Sequence, residues 1–156
     1  MSQESAIWPQ GMPPENITLV LKLFTILDDS SDDSGQRLAD EIFISDGRIK
    51  NGMHTFSGKA AEHGVLEIAG SRKKAWDAWS TRKHSILRVY SRSQEATDDI
   101  LFLGTLAATF PNGKSATGEF CARIIFGLSD TQETRIKWFE VWADATPFVT
   151  AMNMKD

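Results

Sequence analysis

The sequence predicts an α+β domain in which helices near the N-terminus pack on one face of a curved, mainly antiparallel sheet and enclose a pocket. Apolar residues in the first part of the chain recur at helical spacing, whereas the later part contains a run of strand-like segments. The turn sequence Pro111-Asn112-Gly113 joins two of these segments as a hairpin. Helices followed by successive antiparallel strands are typical of this fold class.

The N-terminus differs in composition from the rest of the chain. The chain has 156 residues, which suits one domain with a substantial core. Three of its five prolines fall within residues 1–14. We therefore expect an irregular arm over residues 1–15 and a single domain over residues 16–156. Trp8 is the residue of the arm that is suited to dock onto the domain.

Two helices are predicted after the arm. Asn16 can cap the first helix, whose apolar stripe has helical spacing. The stripe consists of Ile17, Val20, Leu21, Phe24 and Leu27. Ser34 can cap a short second helix that buries Leu38, Ala39 and Ile42. The acidic, serine-rich run between the helices, residues 28–34, has the composition of a solvated loop.

The remaining elements are mostly strands. A turn at residues 45–47 leads into a first strand over residues 48–53, and residues 56–59 open a third helical segment with Ser57 as its cap. Ser71 can cap a further helical turn. The later strands are predicted at residues 84–90, 100–110, 118–126 and 135–142, followed by a short tail with Pro147, Phe148 and Val149.

Composition excludes several classes of protein. The net charge of −4 and the absence of a basic stripe argue against a nucleic-acid partner. No apolar run approaches the ~20 residues of a membrane span. Cys121 is the single cysteine, so an internal disulfide cannot form and we expect a cytoplasmic protein. The three histidines lack metal-ligand spacing, so we expect no metal, and no cofactor is implied.

The last strand supplies most of the candidate site. Residues two apart share a strand face. One face collects Trp138, Glu140, Trp142 and Asp144. Indoles interleaved with carboxylates suit a pocket wall. The opposite face, with Lys137, Phe139 and Val141, is then the outer face and a candidate dimer interface.

The hairpin adds a second group of polar residues. Glu119 and Arg123 share a face with Cys121, and Glu140 lies on the neighbouring strand. This group can form a network in which Arg123 holds a ligand oxygen and a carboxylate acts as a general acid. The alternative is a structural ion pair on a solvated face. In that case the opposite face is the core. That face consists of Phe120, Ala122, Ile124 and Phe126.

His84 is the candidate general base. A histidine titrates near neutral pH and can move protons in either direction. The alternative is a satisfied core or edge histidine. His54 and His63 are expected at the surface.

The pocket wall is expected to include further residues. Indoles stack on flat ligands, and Trp76 and Trp79 are spaced to meet one surface. Asn51 near the first strand and Arg37 early in the second helix complete the candidate substrate-binding set.

In element order and local phrases the chain resembles the SnoaL-like branch of the NTF2-like superfamily over residues 16–150. The phrases are EIFISDG at 41–47, FSGK at 56–59, RKHSILRV at 82–89 and VWAD at 141–144. The resemblance implies a cone-shaped fold and a homodimer through the outer sheet face. It also implies that His84 matches the catalytic histidine of scytalone dehydratase and that Asp144 matches the terminal-strand aspartate. Ketosteroid isomerase carries its base near the position of Asn51, whose amide cannot act as one.

Three functions are compatible with these residues. The first is a cofactor-independent isomerase or cyclase acting on a small polycyclic intermediate of secondary metabolism (meroterpenoid, polyketide or alkaloid). There His84 or Asp144 would take a proton, Glu119 or Glu140 would give one, and Arg123 would hold a carbonyl oxygen. The second is a non-catalytic NTF2-like binding or dimerisation module. The third is a dehydratase of a hydroxylated aromatic precursor, which would use the same acid and base.

Overall fold

The fold was analysed in a computed structural model that describes residues 6–52, 54–58 and 66–155. Two helices precede the strands: α1 is Pro14–Leu27 and α2 is Ser34–Arg37, which continues into a π-helical turn over Leu38–Ile42. A 3-10 turn covers Ala69–Arg72, and α3, Thr146–Asn153, follows the last strand. The strands are β1 Phe43–Asn51, β2 His54–Ser57, β3 Leu66–Glu67, β4 Thr81–Ser91, β5 Asp99–Thr109, β6 Ser115–Leu128 and β7 Thr134–Ala143.

Helix α1 buries Val20, Phe24 and Leu27 of the predicted stripe, whereas Ile17 and Leu21 are only half-buried. Its start lies two residues earlier than expected, because Pro14 occupies the first helical turn, where a missing N–H costs nothing. Asn16 is therefore buried inside the helix and does not act as its cap. Val20, Leu23 and Phe24 are almost completely buried against the sheet. The helix ends at Leu27, and the next residue, Asp28, starts the connector.

The strands of the described chain form one sheet in the order β3-β2-β1-β7-β6-β5-β4. Strands β4 to β7 are antiparallel neighbours, whereas β1 runs parallel to β7 and β2 parallel to β3. The predicted hairpin is confirmed: β5 and β6 pair from Asp99–Ile125 to Thr109–Ser115, and Gly113 adopts a φ of +77° in the turn. The α+β class and the curved, mainly antiparallel sheet are therefore confirmed.

A β-bulge on β7 decides which residues face the helices. Ile136 pairs with Phe126 and Trp138 pairs with Ile125, so Lys137 is the extra residue of the bulge. Ile136 and Phe139 consequently both point into the core, although they are three residues apart. The expectation that Phe139 and Val141 lie on the outer face with Lys137 is wrong. Phe139 is buried, Val141 packs against the core, and only Lys137 is exposed.

The inner sheet face is the apolar one. Phe120, Ala122, Ile124 and Phe126 are all buried. They form the main core with α1, the π-helical turn and the inner residues of β4, β5 and β7. The alternation along β6 then places Glu119, Cys121 and Arg123 on the opposite, outer face.

A second apolar cluster lies at the end of the sheet near the hairpin turn. The predicted tail is helical there: α3 carries Phe148 and Ala151 onto Ala108 and Phe110. The Phe148 ring covers Gly118 so closely that a Cβ at that glycine would lie 2.7 Å from the ring. Close approach between α3 and β6 therefore requires glycine at this position.

Several boundaries differ from those predicted. Phe56 and Ser57 belong to β2 and do not begin a helix. Residues 59–65, which cover most of the predicted third helix and His63, lie outside the described residues, as does Met53 at the end of the predicted first strand. Ser71 lies inside the 3-10 turn.

The N-terminal arm is docked on the domain. Its backbone forms a short bridge to the edge strand β4, where the Ile7 N–H donates to the Leu87 carbonyl and the Val89 N–H donates to the Ile7 carbonyl. Trp8 packs against the main core, as expected. An edge strand exposes unpaired backbone groups, and the arm covers part of that edge.

Candidate functional site

The site is centred on a pair formed by Asp28 and His84. Asp28 follows the last residue of α1, and His84 lies on β4 facing the core. The Asp28 Oδ2 atom accepts the backbone N–H of His84 at 2.9 Å, and Oδ1 contacts the imidazole Nδ1 at 2.5 Å. The side chains are 9% and 10% exposed, respectively. These two contacts to the Asp28 carboxylate fix the position of β4 at His84 and the orientation of the imidazole ring.

The contacts define the protonation state of His84. The Asp28 carboxylate can only accept, so Nδ1 carries the proton and Nε2 carries the lone pair. Burial lowers the pKa of His84, while the hydrogen bond and charge of Asp28 oppose that shift. The nearby charges of Arg82 and Arg72 lower the pKa of His84 further. The ring is therefore neutral at pH 7 and able to take a proton on Nε2.

Aromatic and small residues surround the imidazole. Its centroid lies 5.1 Å from that of the Phe24 ring and 5.6 Å from that of the Phe120 ring. On the sheet, His84 pairs with Leu106, which in turn pairs with Gly118. Leu106 is only partly buried and touches both apolar clusters. The base thus lies where the two clusters meet.

Two arginines lie beside this pair. Arg72 donates from Nη2 to the Leu27 carbonyl at 2.6 Å, at the C-terminal end of α1. Arg82, two residues before His84 on β4, donates from Nη1 to the Ala75 carbonyl at 3.0 Å. Burial lowers the pKa of both arginines, that of Arg72 to about 10, so both stay charged at pH 7.

Trp76 and Trp79 lie in the same region, as the sequence predicted. The Arg82 guanidinium lies 5.4 Å from the Trp76 ring centroid and 5.1 Å from the Trp79 ring centroid. Trp76 donates its Nε1–H to the Asp29 carbonyl at 3.2 Å. Trp79 packs on the rings of Phe110 and Phe148. A role for either indole in substrate binding remains a prediction.

The hairpin network lies on the outer face, so the expectation that it lines the pocket is wrong. Arg123 forms a bidentate contact with Asp99, at 2.9 and 2.6 Å. The hydrogen bond from Arg123 lowers the pKa of Asp99. Glu119 is exposed on the same face. The solvated outer face that the sequence left open as an alternative is therefore the observed one, but Arg123 pairs there with Asp99 and not with Glu119.

Glu140, Trp138 and Trp142 lie on that face too. Glu140 accepts from Lys50 at 2.9 Å and from the Trp138 Nε1–H at 3.2 Å. The Lys50 contact is the main reason that the pKa of Glu140 is lowered, which disfavours a general acid. Trp142 is 48% exposed. Phe139 and Val141 pack against the core, so the alternation along β7 places Trp138, Glu140 and Trp142 on the opposite face, and the face predicted to be the inner one is the outer one.

Three other predicted residues do not contact His84. Asp144 is exposed after β7, where its Oδ1 accepts the backbone N–H of Thr146 at 2.9 Å, and these contacts lower its pKa. Asn51 is exposed at the end of β1. Arg37 pairs with Asp29 at 2.8 Å and with Glu41 at 3.6 Å. Asp144 thus supports the start of α3, and Arg37 ties α2 to the connector.

Sequence reasoning missed Asp28, Arg72 and Arg82. Asp28 was placed in a solvated loop with the acidic run that follows it. The available signal was its position directly after the apolar stripe of α1, at the end of a helix that packs on the sheet. Arg82 was detectable as a residue on the same strand face as His84.

Two open hollows of about 480 and 470 Å³ lie away from His84. The first is lined by residues of α2, β1 and the 129–131 loop, including Asp40, Ile44 and Asp130. The second lies on the outer face around Leu101, Arg123 and Trp142. Within the described part of the chain, no group of three or more residues has the composition of a metal site. The helices in that part are also too short or too polar to span a bilayer.

The architecture matches known structures, although no family model and no curated protein matches the sequence. An NTF2-like protein from Burkholderia pseudomallei superposes with a TM-score of 0.65 and 16% identity, covering 91% of this chain and 100% of that one. TerC, crystallised with polyporic acid, superposes with a TM-score of 0.62 and 15% identity, covering 90% of this chain and 99% of TerC. A provisionally named isomerase of the SnoaL-like family from Agrobacterium tumefaciens superposes with a TM-score of 0.59 and 11% identity, covering 85% of this chain and 99% of that one.

These similarities define the fold of the chain. At identities below 25% they show the fold, which is the NTF2-like α+β cone. Within that fold the chain resembles the SnoaL-like and ketosteroid isomerase-like proteins. The Asp28–His84 pair lies between α1 and the concave sheet face, where the sequence predicted the pocket of such a cone.

Proposed function

We propose that the protein is a cofactor-independent enzyme that isomerises or cyclises a small polycyclic intermediate of secondary metabolism by proton transfer. The observation that carries the proposal is the buried Asp28–His84 pair. A neutral imidazole with one nitrogen held by a carboxylate is a general base with fixed orientation. The SnoaL-like fold similarity supports an isomerase but does not name a substrate.

The geometry assigns one step to each residue. The Nε2 atom of His84 takes a proton from a carbon next to a carbonyl group, and the bonding pair moves onto the carbonyl oxygen as an enolate. Asp28 stabilises the imidazolium that forms, because its carboxylate already accepts the Nδ1–H. The imidazolium then returns the proton at another carbon, which gives the isomer. If the enolate carbon instead attacks a second carbonyl carbon of the same molecule, a ring closes, the π pair of that carbonyl moves onto its oxygen, and the imidazolium returns the proton to that oxygen.

The surroundings fit a flat apolar substrate. The Phe24 and Phe120 rings contact the imidazole, and Trp79 lies nearby on the same side of the sheet as Arg82. Aromatic faces stack on polycyclic ligands and exclude water, which strengthens electrostatic effects on the reacting atoms. The crystallisation of TerC with polyporic acid supports a small-molecule ligand for this fold.

A binding module is the second candidate, and the packed interior favours it. The Phe24 ring lies 5.6, 5.9 and 6.1 Å from the rings of Phe102, Phe120 and Phe139. Neither of the two hollows described above includes His84 in its wall. The dehydratase alternative uses the same dyad and differs only in expelling a hydroxyl group.

The test uses a generic carbon acid, 5-nitrobenzisoxazole, whose isoxazole ring opens by N–O cleavage when a base removes the proton on C3. We expect His84→Gln to lower the rate by ~10²–10⁴-fold relative to wild type. His54→Gln is the matched control, because His54 is exposed on β2. A His84→Gln variant that folds and retains the wild-type rate would falsify the assignment. Binding of the probe without turnover by the wild type would favour the binding module.

We also propose a homodimer through the outer sheet face. This face carries exposed apolar side chains at adjacent positions of neighbouring strands. Leu101 lies beside Tyr90, and Leu103 and Trp142 both pair with Cys121. Each of the four apolar residues is between 45% and 48% exposed. An apolar patch on a regular strand surface suits the self-complementary interface of a two-fold dimer.

A further inference from the structure

Buried polar atoms that lack a hydrogen-bond partner are concentrated in one place. In the described part of the chain they are Ser71 Oγ, Arg72 Nε and Arg82 Nε. Ser71 and Arg72 are adjacent in the 3-10 turn, and Arg72 and Arg82 both flank the Asp28–His84 pair. Buried donors are normally paired, so a local excess of donors indicates a missing acceptor.

The guanidinium groups of Arg72 and Arg82 use little of their hydrogen-bonding capacity. Each has five N–H donors, and in the described residues each makes one hydrogen bond, to a backbone carbonyl. No carboxylate of those residues lies within ion-pair distance of either group. Arginine is otherwise well suited to bind anionic oxygens through two parallel N–H groups.

The charges near His84 do not balance. Arg72 and Arg82 contribute two positive charges, Asp28 contributes one negative charge, and His84 is neutral at pH 7. Burial is the main cause of the lowered pKa of both arginines. A partly buried site with net positive charge is stabilised by one further anion.

A purely structural role of Arg72 and Arg82 does not account for their unpaired N–H donors and excess positive charge. Capping the end of α1 at Leu27 requires a single N–H, and so does the contact with Ala75. Trp76 and Trp79 hold the Arg82 guanidinium on the core side of β4, which desolvates it. Placing two desolvated guanidinium groups beside a general base raises the cost of burial without adding a structural contact.

We infer that Arg72 and Arg82 recognise an anionic oxygen on the substrate, so that the substrate is an aromatic or polycyclic molecule with a carboxylate or an acidic hydroxyl group. This inference rests on the proposed function for the position of the reacting carbon, but the binding site itself does not depend on catalysis. Arg82 lies on the same strand face as His84 and two residues away, which is about 7 Å along a strand. The anionic group and the reacting carbon are then separated by roughly one six-membered ring.

The test compares two probes of nearly equal shape, 2-naphthoate and 2-naphthamide, by calorimetric titration of the full chain. We expect the wild type to bind the carboxylate at least about tenfold more tightly than the neutral amide, which corresponds to ~1.4 kcal/mol. Arg82→Met should abolish this preference while leaving the affinity for the amide unchanged. Arg72→Met should do the same, and Arg72→Lys provides a second variant if Arg72→Met does not fold.

The control is Arg88→Met, since Arg88 lies on the same strand but is exposed. The ratio of the two affinities should stay at the wild-type value in this variant. Equal affinity of the wild type for the two probes, or no binding of either, overturns the inference. An Arg82→Met variant that weakens both probes equally also overturns it, because a structural role affects both alike.

His84→Gln separates this inference from the proposed function. It should keep the preference for 2-naphthoate while losing the ring-opening activity. If His84→Gln keeps full activity but Arg82→Met loses the carboxylate preference, the proposed base is wrong and the anion site stands. If the activity depends on His84 but the probes bind equally, the base stands and the anion site is wrong.

Discussion

At the scale of single residues, the proposed function depends on how the Asp28 carboxylate sets the protonation state of the His84 imidazole. Asp28 accepts from the Nδ1–H of His84 and so leaves Nε2 free of a proton. Burial keeps the imidazole neutral, whereas Asp28 stabilises it when it becomes charged. These opposing effects are what a general base requires, because it must be neutral before the reaction and charged after it.

The pH dependence of activity follows from this balance. The pKa of His84 is lowered, so kcat/KM for the benzisoxazole probe should stay constant above about pH 6.5 and fall only at lower pH. Asp28→Asn removes the effects that raise the pKa, so the acid limb should move to still lower pH and the plateau should drop. Rates measured between pH 4 and 8 check this. A wild-type limb centred at or above about pH 6.5 would contradict it.

Stability should depend on the pH through the same group. The folded-state pKa of His84 is below its unfolded value of about 6.5, so between these values the unfolded chain binds more protons. The contribution of His84 is therefore fully present above about pH 6.5 and is lost as the pH falls through the folded pKa. The charged groups around the Asp28–His84 pair are the carboxylate of Asp28 itself and the cations Lys83, Arg72 and Arg82.

Urea unfolding at several pH values tests this expectation. We expect His84→Gln, which can still donate to Asp28, to lose less stability than the wild type on acidification from about pH 7. His54→Gln should follow the wild type, since His54 is exposed. Identical pH profiles for the wild type and His84→Gln would show that His84 does not titrate differently in the folded state.

At the scale of elements, the C-terminal helix closes one end of the cone. Helix α3 buries Phe148 against Phe110, Trp79 and Gly118. The same Trp79 contacts Arg82, so α3 also supports the residues beside His84. A tail that the sequence left unstructured therefore stabilises the wall of the candidate site.

Phe148→Ala should destabilise the protein by ~3–5 kcal/mol, because it opens a cavity that the backbone of β6 cannot fill. Val149→Ala is the matched control on the same helix, since Val149 is 47% exposed, and its effect should stay within about 0.5 kcal/mol. Thermal or urea unfolding measures both. A loss of stability from Phe148→Ala no larger than that from Val149→Ala would show that α3 is not anchored as described.

At the scale of the whole molecule, the sheet separates two surfaces with different chemistry. The inner face is apolar and carries His84, whereas the outer face carries the Arg123–Asp99 and Lys50–Glu140 pairs around exposed leucines. The outer pairs lie in or beside a hollow of about 470 Å³. Because the helices occupy the inner face, the outer face is the sheet surface that is open to a second copy of the chain in the proposed dimer.

The double variant Leu101→Glu/Leu103→Glu should dissociate the proposed dimer, because it places charges in the centre of the apolar outer face. Light scattering should then give the mass of one 17.4 kDa chain in place of two. Leu128→Glu, at the exposed end of β6, should leave the mass unchanged. A wild type that is already monomeric at micromolar concentration contradicts the dimer.

The sequence by itself determined the elements with strong local signals. The apolar stripe of α1 has helical spacing, and the Pro111-Asn112-Gly113 turn between two strand-like segments predicts an antiparallel hairpin. His84 was singled out because a histidine can move protons near neutral pH and because its position resembles that of the catalytic histidine of scytalone dehydratase. Each of these signals lies within a few neighbouring residues, so no knowledge of distant contacts was required.

Only the tertiary structure decided which strand face is the inner one and which residue partners His84. Strand parity predicts which residues share a face but not which face is the inner one, and the packing of α1 on the side of Phe139 and Val141 leaves Trp138, Glu140 and Trp142 on the outer surface. Asp28 lies 56 positions from His84, and its contact exists only because α1 packs across the sheet and ends beside β4. A pairing over that distance depends on how whole elements dock, and no local pattern encodes it.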